Sequence, residues 1–165
     1  MAARRSKSKK PSAGSTPSPS PSPPDDFVLY LDENLCNSRA IQDMLTKLDV
    51  HFERHLAHFV RGTLDETWLP KVGSEGWLLL TADKRIRYNF LEKHALEEHA
   101  VREFVFTSGN MSGQDMAVAL ELALPKMRRL CRKLNPPFVA SITRLGEVHL
   151  RWPKSSRSRN SASQH

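Results

Sequence analysis

Short extended segments, most of them apolar, are separated by stretches of a different period, and this alternation constrains the fold more than any other feature of the chain. The segments are FVLYL (27–31), the brief VHFER (50–54), WLLLTA (77–82) and VREFVFT (101–107). Each is too short for a helix and reads as a strand. Between the first two, Ser38 to Leu48 places Ile41, Met44, Leu45 and Leu48 at helical spacing; Asp65 to Val72 reads as a short helix and Ile86 to Glu98 as another. Strand and helix in turn predict an α/β sandwich with a mainly parallel central sheet, because parallel strands need the crossovers that helices supply. Ser112, with Asp115 three residues on, has the pattern of a capping box. It opens a helix whose Met116, Ala119, Leu120, Ala123 and Leu124 share a face, and Pro125 is expected to kink or end that helix. FVASITR and EVHLRW, parted by Leu145-Gly146, predict a C-terminal β-hairpin.

A length of 165 residues suits one domain with a sizeable core. Residues 1–26 lack any apolar period and carry the run STPSPSPSPPDD, so they read as a disordered basic Pro/Ser-rich tail; 27–152 is the expected domain and 153–165 a second disordered basic tail. The net charge of +7 invites a nucleic-acid reading, but 27–152 holds 17 basic and 16 acidic residues, so the excess belongs to the tails. The basic start lacks the apolar segment of a signal peptide, and its dense prolines argue against a transit helix. No apolar stretch of about 18 residues exists, so no membrane span is expected. Cys36 and Cys131 lack metal-like spacing and read as reduced thiols of a cytoplasmic protein.

LDENL (31–35) places Asp32 and Glu33 directly after the first apolar run. A charge at the mouth of a core is costly unless compensated, so the pair is either a helix cap, with Asn34 or Ser38 as competing caps, or the start of a site. In open parallel sheets, sites form beyond the carboxyl ends of the strands. Asp83 follows Leu80-Thr81 at the end of another strand, and Asp65-Glu66 opens a helix. If the strands are parallel neighbours, Asp32 and Asp83 meet at one edge. Carboxylates there repel unless protonated or bridged by a cation, and hard oxygen ligands from separate segments suit Mg²⁺ or Mn²⁺.

Other patterns have simpler readings. Acidic residues favour any first helical turn, which covers Asp65 and Glu66. His51, His55 and His58 would share a helix face and could bind zinc, but VHFER reads as a strand. Arg128, Arg129, Arg132 and Lys133 read as a solvated face. There is no Gly-rich phosphate loop, no CxxC pair and no nucleophile elbow.

VLYLDENL, then LDETWLPKVGSEGWLLLTADKRIR, then a strand such as VREFVF, resembles the PIN-like domains of the VapC45 type, toxin components of toxin–antitoxin systems; the resemblance covers roughly residues 27–125. It implies a Rossmann-like α/β/α sandwich, a divalent-metal site built from acidic residues, and endoribonuclease activity. Asp32 matches the acid ending the first strand, Asp65 or Glu66 the acid of the middle helix, and Asp83 the acid after the Thr-x-Asp strand end, with Thr81 as its supporting hydroxyl. Many PIN domains add a fourth carboxylate shortly after the third. Here that neighbourhood is Lys84-Arg85-Ile86, with Asp115 or Glu33 as candidates to substitute.

The resemblance therefore implies Mg²⁺ or Mn²⁺ held by Asp32 and Asp83 and completed by Asp65 or Glu66. Lys84, Arg85 and Arg87 would position RNA phosphates, a small antitoxin encoded nearby would be the partner, and a homodimer stays open. Two alternatives remain: a catalytically inactive PIN-like protein-binding module, and a phosphoacceptor receiver domain. The receiver wants a lysine after a later strand, whereas Val101 to Thr107 is followed by Ser108-Gly109-Asn110.

Overall fold

The computed structural model describes residues 27–83, 90–107 and 109–153 of the chain. At its centre is a six-stranded sheet in the order β2-β1-β3-β4-β5-β6. The strands are β1 (Leu29–Leu31), β2 (Phe52–Arg54), β3 (Leu78–Thr81), β4 (Arg102–Phe106), β5 (Phe138–Ile142) and β6 (Val148–Trp152). The first five are mutually parallel. β6 returns antiparallel beside β5, from Ile142↔Val148 to Val139↔Trp152, as the terminal hairpin requires. The expected α/β class and mainly parallel sheet are both present.

Alternation along the strands sorts the core into two layers. Leu29, Leu31, Leu78, Leu80, Phe104 and Phe106 face α1 (Arg39–Lys47) and α5 (Gly113–Lys133). Tyr30, Leu79, Val105 and Val139 face α3 (Asp65–Glu75) and α4 (Phe90–Glu98). A one-turn helix α2 (His55–His58) follows β2 directly. Burying a large apolar side chain contributes about 1.5–3 kcal/mol. That is how the three-residue β1, with every residue fully buried, holds the middle of the sheet.

Helix ends follow local chemistry. Ser38 caps α1, its hydroxyl accepting from the Ile41 N–H at 3.5 Å. At α5 the capping box is reciprocal: Ser112 Oγ accepts from the Asp115 N–H at 3.1 Å, and Asp115 Oδ2 accepts from the Ser112 N–H at 3.3 Å. α3 runs past the expected end at Val72 to Glu75 and stops at Gly76, whose φ of +69° suits glycine.

Pro125 does not end its helix. α5 continues to Lys133, with buried Ala119, Leu120, Ala123, Leu124 and Met127 packed on both sides of the proline. The missing N–H leaves the Glu121 carbonyl without its helical donor, but Glu121 and Pro125 are both exposed, so water can serve it. Tertiary packing overrides the local break. α4 begins at Phe90; the expected helical residues 86–89 lie outside the described residues. Cys36 and Cys131 are free thiols. No helix among the described residues is long and apolar enough to cross a membrane.

Candidate functional site

The chain leaves β1 for β2 on one side and returns to β3 on the other. That reversal between β1 and β3 is a topological switch point, where connections diverge and a crevice opens at the carboxyl ends of the strands. Asp32 is the first residue after β1, and Thr81 is the last of β3.

Asp32 is buried at 7% exposure and makes two kinds of contact. Its Oδ1 accepts from the backbone N–H groups of Asn34 and Leu35, both at 3.0 Å, which closes the turn over residues 33–37. Its Oδ2 accepts from the hydroxyl of Thr81, itself fully buried, and Thr81 Oγ1 in turn accepts from the Asp83 N–H at 3.0 Å. Cap and site are therefore not alternatives for Asp32: it shapes its own turn, while Ser38 caps α1. Burial pushes its carboxyl up to about 6 against the pull of those hydrogen bonds, and the charge of Asp83 adds to the rise.

Asp65, at the start of α3, is half-buried. Its proton affinity is raised by burial, opposed by a hydrogen bond from Trp68, and raised again by Asp83. Asp83 thus acts electrostatically on both Asp32 and Asp65. Glu66, the next residue on α3, is exposed.

Glu33 does not share the crevice contacts of Asp32. Its Oε2 accepts from the Gly62 N–H at 2.9 Å, and its carboxylate lies 3.9 Å from Arg61 and 4.0 Å from His55 Nε2. It therefore braces the loop that leads into α3. Asp115 is occupied in the α5 capping box and lies 4.0 Å from Arg144. Lys84, Arg85 and Arg87 lie outside the described residues.

The three histidines do not converge. His55 is buried with Nδ1 2.7 Å from the Tyr30 hydroxyl, His58 Nε2 pairs with Glu53 at 2.8 Å, and His51 is exposed. His55 sits within an aromatic group in which Tyr30 is stacked between Trp68 at 5.6 Å and Trp77 at 5.7 Å. Burial drives the His55 pKa down, although Glu33 and the Val60 backbone pull it up, and burial raises that of Tyr30. Sequence reasoning missed this pair. The available signal was a tyrosine in an apolar strand, since a buried phenol needs a partner.

For a hard divalent cation, the donor chemistry fits as a pair of carboxylates. A carboxylate has about four lone-pair sites. Both of those on Asp32 Oδ1 are taken by N–H groups and one on Oδ2 by Thr81, which leaves Oδ2 a single position for an ion. A cation would also offset the burial and repulsion that raise Asp32. Among the described residues, no group of three or more His, Cys, Asp or Glu side chains stands close enough to hold an ion together.

Residues 27–108 match the family model described as PIN like domain. The matched segment runs from the residue pair before β1 to just past β4, so it contains the whole switch point and leaves α5, β5 and β6 beyond it. No curated protein and no solved structure matches the chain.

Proposed function

We propose that this chain, PIN-like over residues 27–108 and so related to a superfamily that contains nucleases, is a divalent-metal-dependent endoribonuclease. In this reading it is the toxin of a toxin–antitoxin pair, works in the cytoplasm and is neutralised by a small protein encoded beside it. The observation that carries the nuclease reading is the hydroxyl of Thr81, which joins the Asp32 carboxylate to the Asp83 backbone across the switch point. Asp32 and Asp83 would hold Mg²⁺ or Mn²⁺, completed by Asp65 or Glu66. The half-buried Asp65 is favoured because the Asp83 charge acts on it and because Glu66 is exposed. The chemistry such an ion supplies when bound is a lower pKa for coordinated water and relief of charge on a scissile phosphate.

The side chains have separate tasks. Thr81 fixes the rotamer of Asp32, and the N–H groups of Asn34 and Leu35 hold its other oxygen. Lys84, Arg85 and Arg87, next to Asp83 in sequence, would position RNA phosphates, and Arg61, 71% exposed beside Glu33, would be a further cation ahead of α3. The test is cleavage of a labelled RNA panel at rising Mg²⁺ or Mn²⁺ by wild type, Asp32→Asn and Asp83→Asn. Metal-dependent cutting, lost in both variants, is expected; cutting that ignores metal or mutation overturns the proposal.

A second reading is a PIN-like protein-binding module without catalysis. It is favoured by the absence of a three-ligand group among the described residues and by Lys84-Arg85-Ile86 where a fourth acid is common. Growth arrest on induction, relieved by Asp83→Asn and by the neighbouring small protein, supports the toxin. Arrest that persists in Asp83→Asn supports the module.

A further inference from the structure

We infer that Tyr30, His55 and Glu33 form a positioning relay that latches the loop of residues 59–64 and so sets Asp65 against the crevice. The inference rests on the reading of Asp65 as part of the acidic site. Its starting point is a nitrogen: His55 is 1% exposed, and its buried Nε2 makes no well-formed hydrogen bond, although the Val60 backbone and the Glu33 carboxylate both act on the ring. A buried donor left in that state is costly, so its surroundings have to justify it.

Three contacts give the direction. The Tyr30 hydroxyl lies 2.7 Å from His55 Nδ1. When that phenol donates to Nδ1, the neutral ring carries its own proton on Nε2. Nε2 faces the Glu33 carboxylate at 4.0 Å, beyond hydrogen-bond reach but within about 1 Å of it. Glu33 Oε2 already accepts from the Gly62 N–H at 2.9 Å, and Gly62 has a φ of +80° that a side chain would strain. Thr63 ties the same loop back on itself, donating its hydroxyl to the Val60 carbonyl at 2.6 Å. Two residues further on, Asp65 opens α3.

The relay therefore runs from the centre of the sheet to the acid. Tyr30 is fully buried and stacks with both Trp68 and Trp77, which packs its ring firmly. His55 transmits that position to Glu33, and Glu33 holds the turn at Gly62. At 4.0 Å, His55 Nε2 and the Glu33 carboxylate stay within electrostatic reach of each other, which ties the buried ring to the turn that Glu33 holds. Glu33, left undecided between cap and ligand by its sequence position, acts on Asp65 through the loop and needs no contact with substrate.

The experiment uses the full chain in wild-type, His55→Phe, His55→Gln, Glu33→Ala and doubly substituted His55→Phe/Glu33→Ala forms. It reads amide hydrogen exchange by segment, together with Mn²⁺ binding by calorimetry. His55→Phe keeps a ring but loses both nitrogens, and should speed exchange in 59–66 by about tenfold while β3 and β4 stay unchanged. It should also weaken Mn²⁺ binding by about tenfold, the usual scale for a group that orients a ligand from behind. His55→Gln, which keeps a donor, should restore part of both effects, and the double variant should be no worse than the worse single. Unchanged exchange in 59–66, or effects that simply add, overturns the relay. If wild type binds no Mn²⁺, the metal reading fails and the exchange data alone decide the relay. If His55→Phe does not fold, Tyr30→Phe, lacking only the hydroxyl, must speed exchange in 59–66 or the relay is wrong.

Discussion

Asp32 and Thr81 are 49 residues apart in sequence and meet at the ends of neighbouring parallel strands, where the Thr81 hydroxyl donates to Asp32 Oδ2. Both are buried, so neither has water as a ready substitute. Thr81→Val keeps the shape and removes the donor. It should cost about 1–3 kcal/mol in urea unfolding, the range for a buried acceptor left unsatisfied. Because that hydrogen bond lowers the Asp32 pKa, the variant should also push the carboxyl further up. Thr81→Ser should recover most of the loss; an unchanged midpoint for Thr81→Val would show that the bond does not hold the strand ends together.

The same carboxylate makes stability depend on pH. Its pKa is about 6 in the folded chain against an ordinary 3.8, so the folded state holds the extra proton. The resulting stabilisation is complete below pH 3.8 and is lost as pH rises through 6. At about 1.4 kcal/mol per unit, the swing approaches 3 kcal/mol. Asp65, also raised, acts in the same sense, whereas His55, lowered, loses stability as pH falls below 6.5. Asp32→Asn isolates the first effect. In chelator at pH 7.5 it should be more stable than wild type by roughly 1–3 kcal/mol, and the difference should vanish near pH 4. A variant that is less stable at both pH values contradicts the burial argument.

Metal should cancel or reverse that difference. If Mn²⁺ binds the folded site alone, saturation at about 100 times its dissociation constant adds about 2.7 kcal/mol to wild type. Asp32→Asn should gain little. Thermal melts with and without Mn²⁺ check this, and equal shifts for both proteins place the ion elsewhere.

Asp65 depends on where α3 lies, and α3 is seated by Gly73. A Cβ there would meet the His99 carbonyl oxygen at 2.0 Å. Gly73→Ala therefore has to push the helix from the turn before β4, at a cost of about 1–3 kcal/mol or more. Ser112→Ala, at the far capping box, should cost about 1 kcal/mol and leave Mn²⁺ affinity as it was. Chemical denaturation and calorimetry on the two variants separate displacement of α3 from simple loss of stability.

Much of this could be read from the residues alone, for definable reasons. Fully buried strands such as LYL and LLLT are continuous apolar runs, and an acid directly after one has few places to go except the carboxyl edge. The placement of Asp32 and Asp83 just past two neighbouring parallel strands was legible on that basis. Asp65 and Glu66 were not separable, because adjacent residues at a helix start differ only in how α3 is rotated against the sheet. Tyr30 and His55 meet only because β1 and β2 are parallel neighbours, a pairing that no local pattern encodes. Pro125 does not end α5, because the local rule is real but weaker than the apolar face of the helix.

The placement of the tryptophans gives the molecule a built-in optical probe. The chain has three, and Trp68, Trp77 and Trp152 all pack in the layer on the α3/α4 face, two of them against Tyr30. Intrinsic fluorescence therefore watches one side of the sheet. It should change when the start of α3 shifts beside Asp65, and stay nearly silent to events confined to α1 and α5.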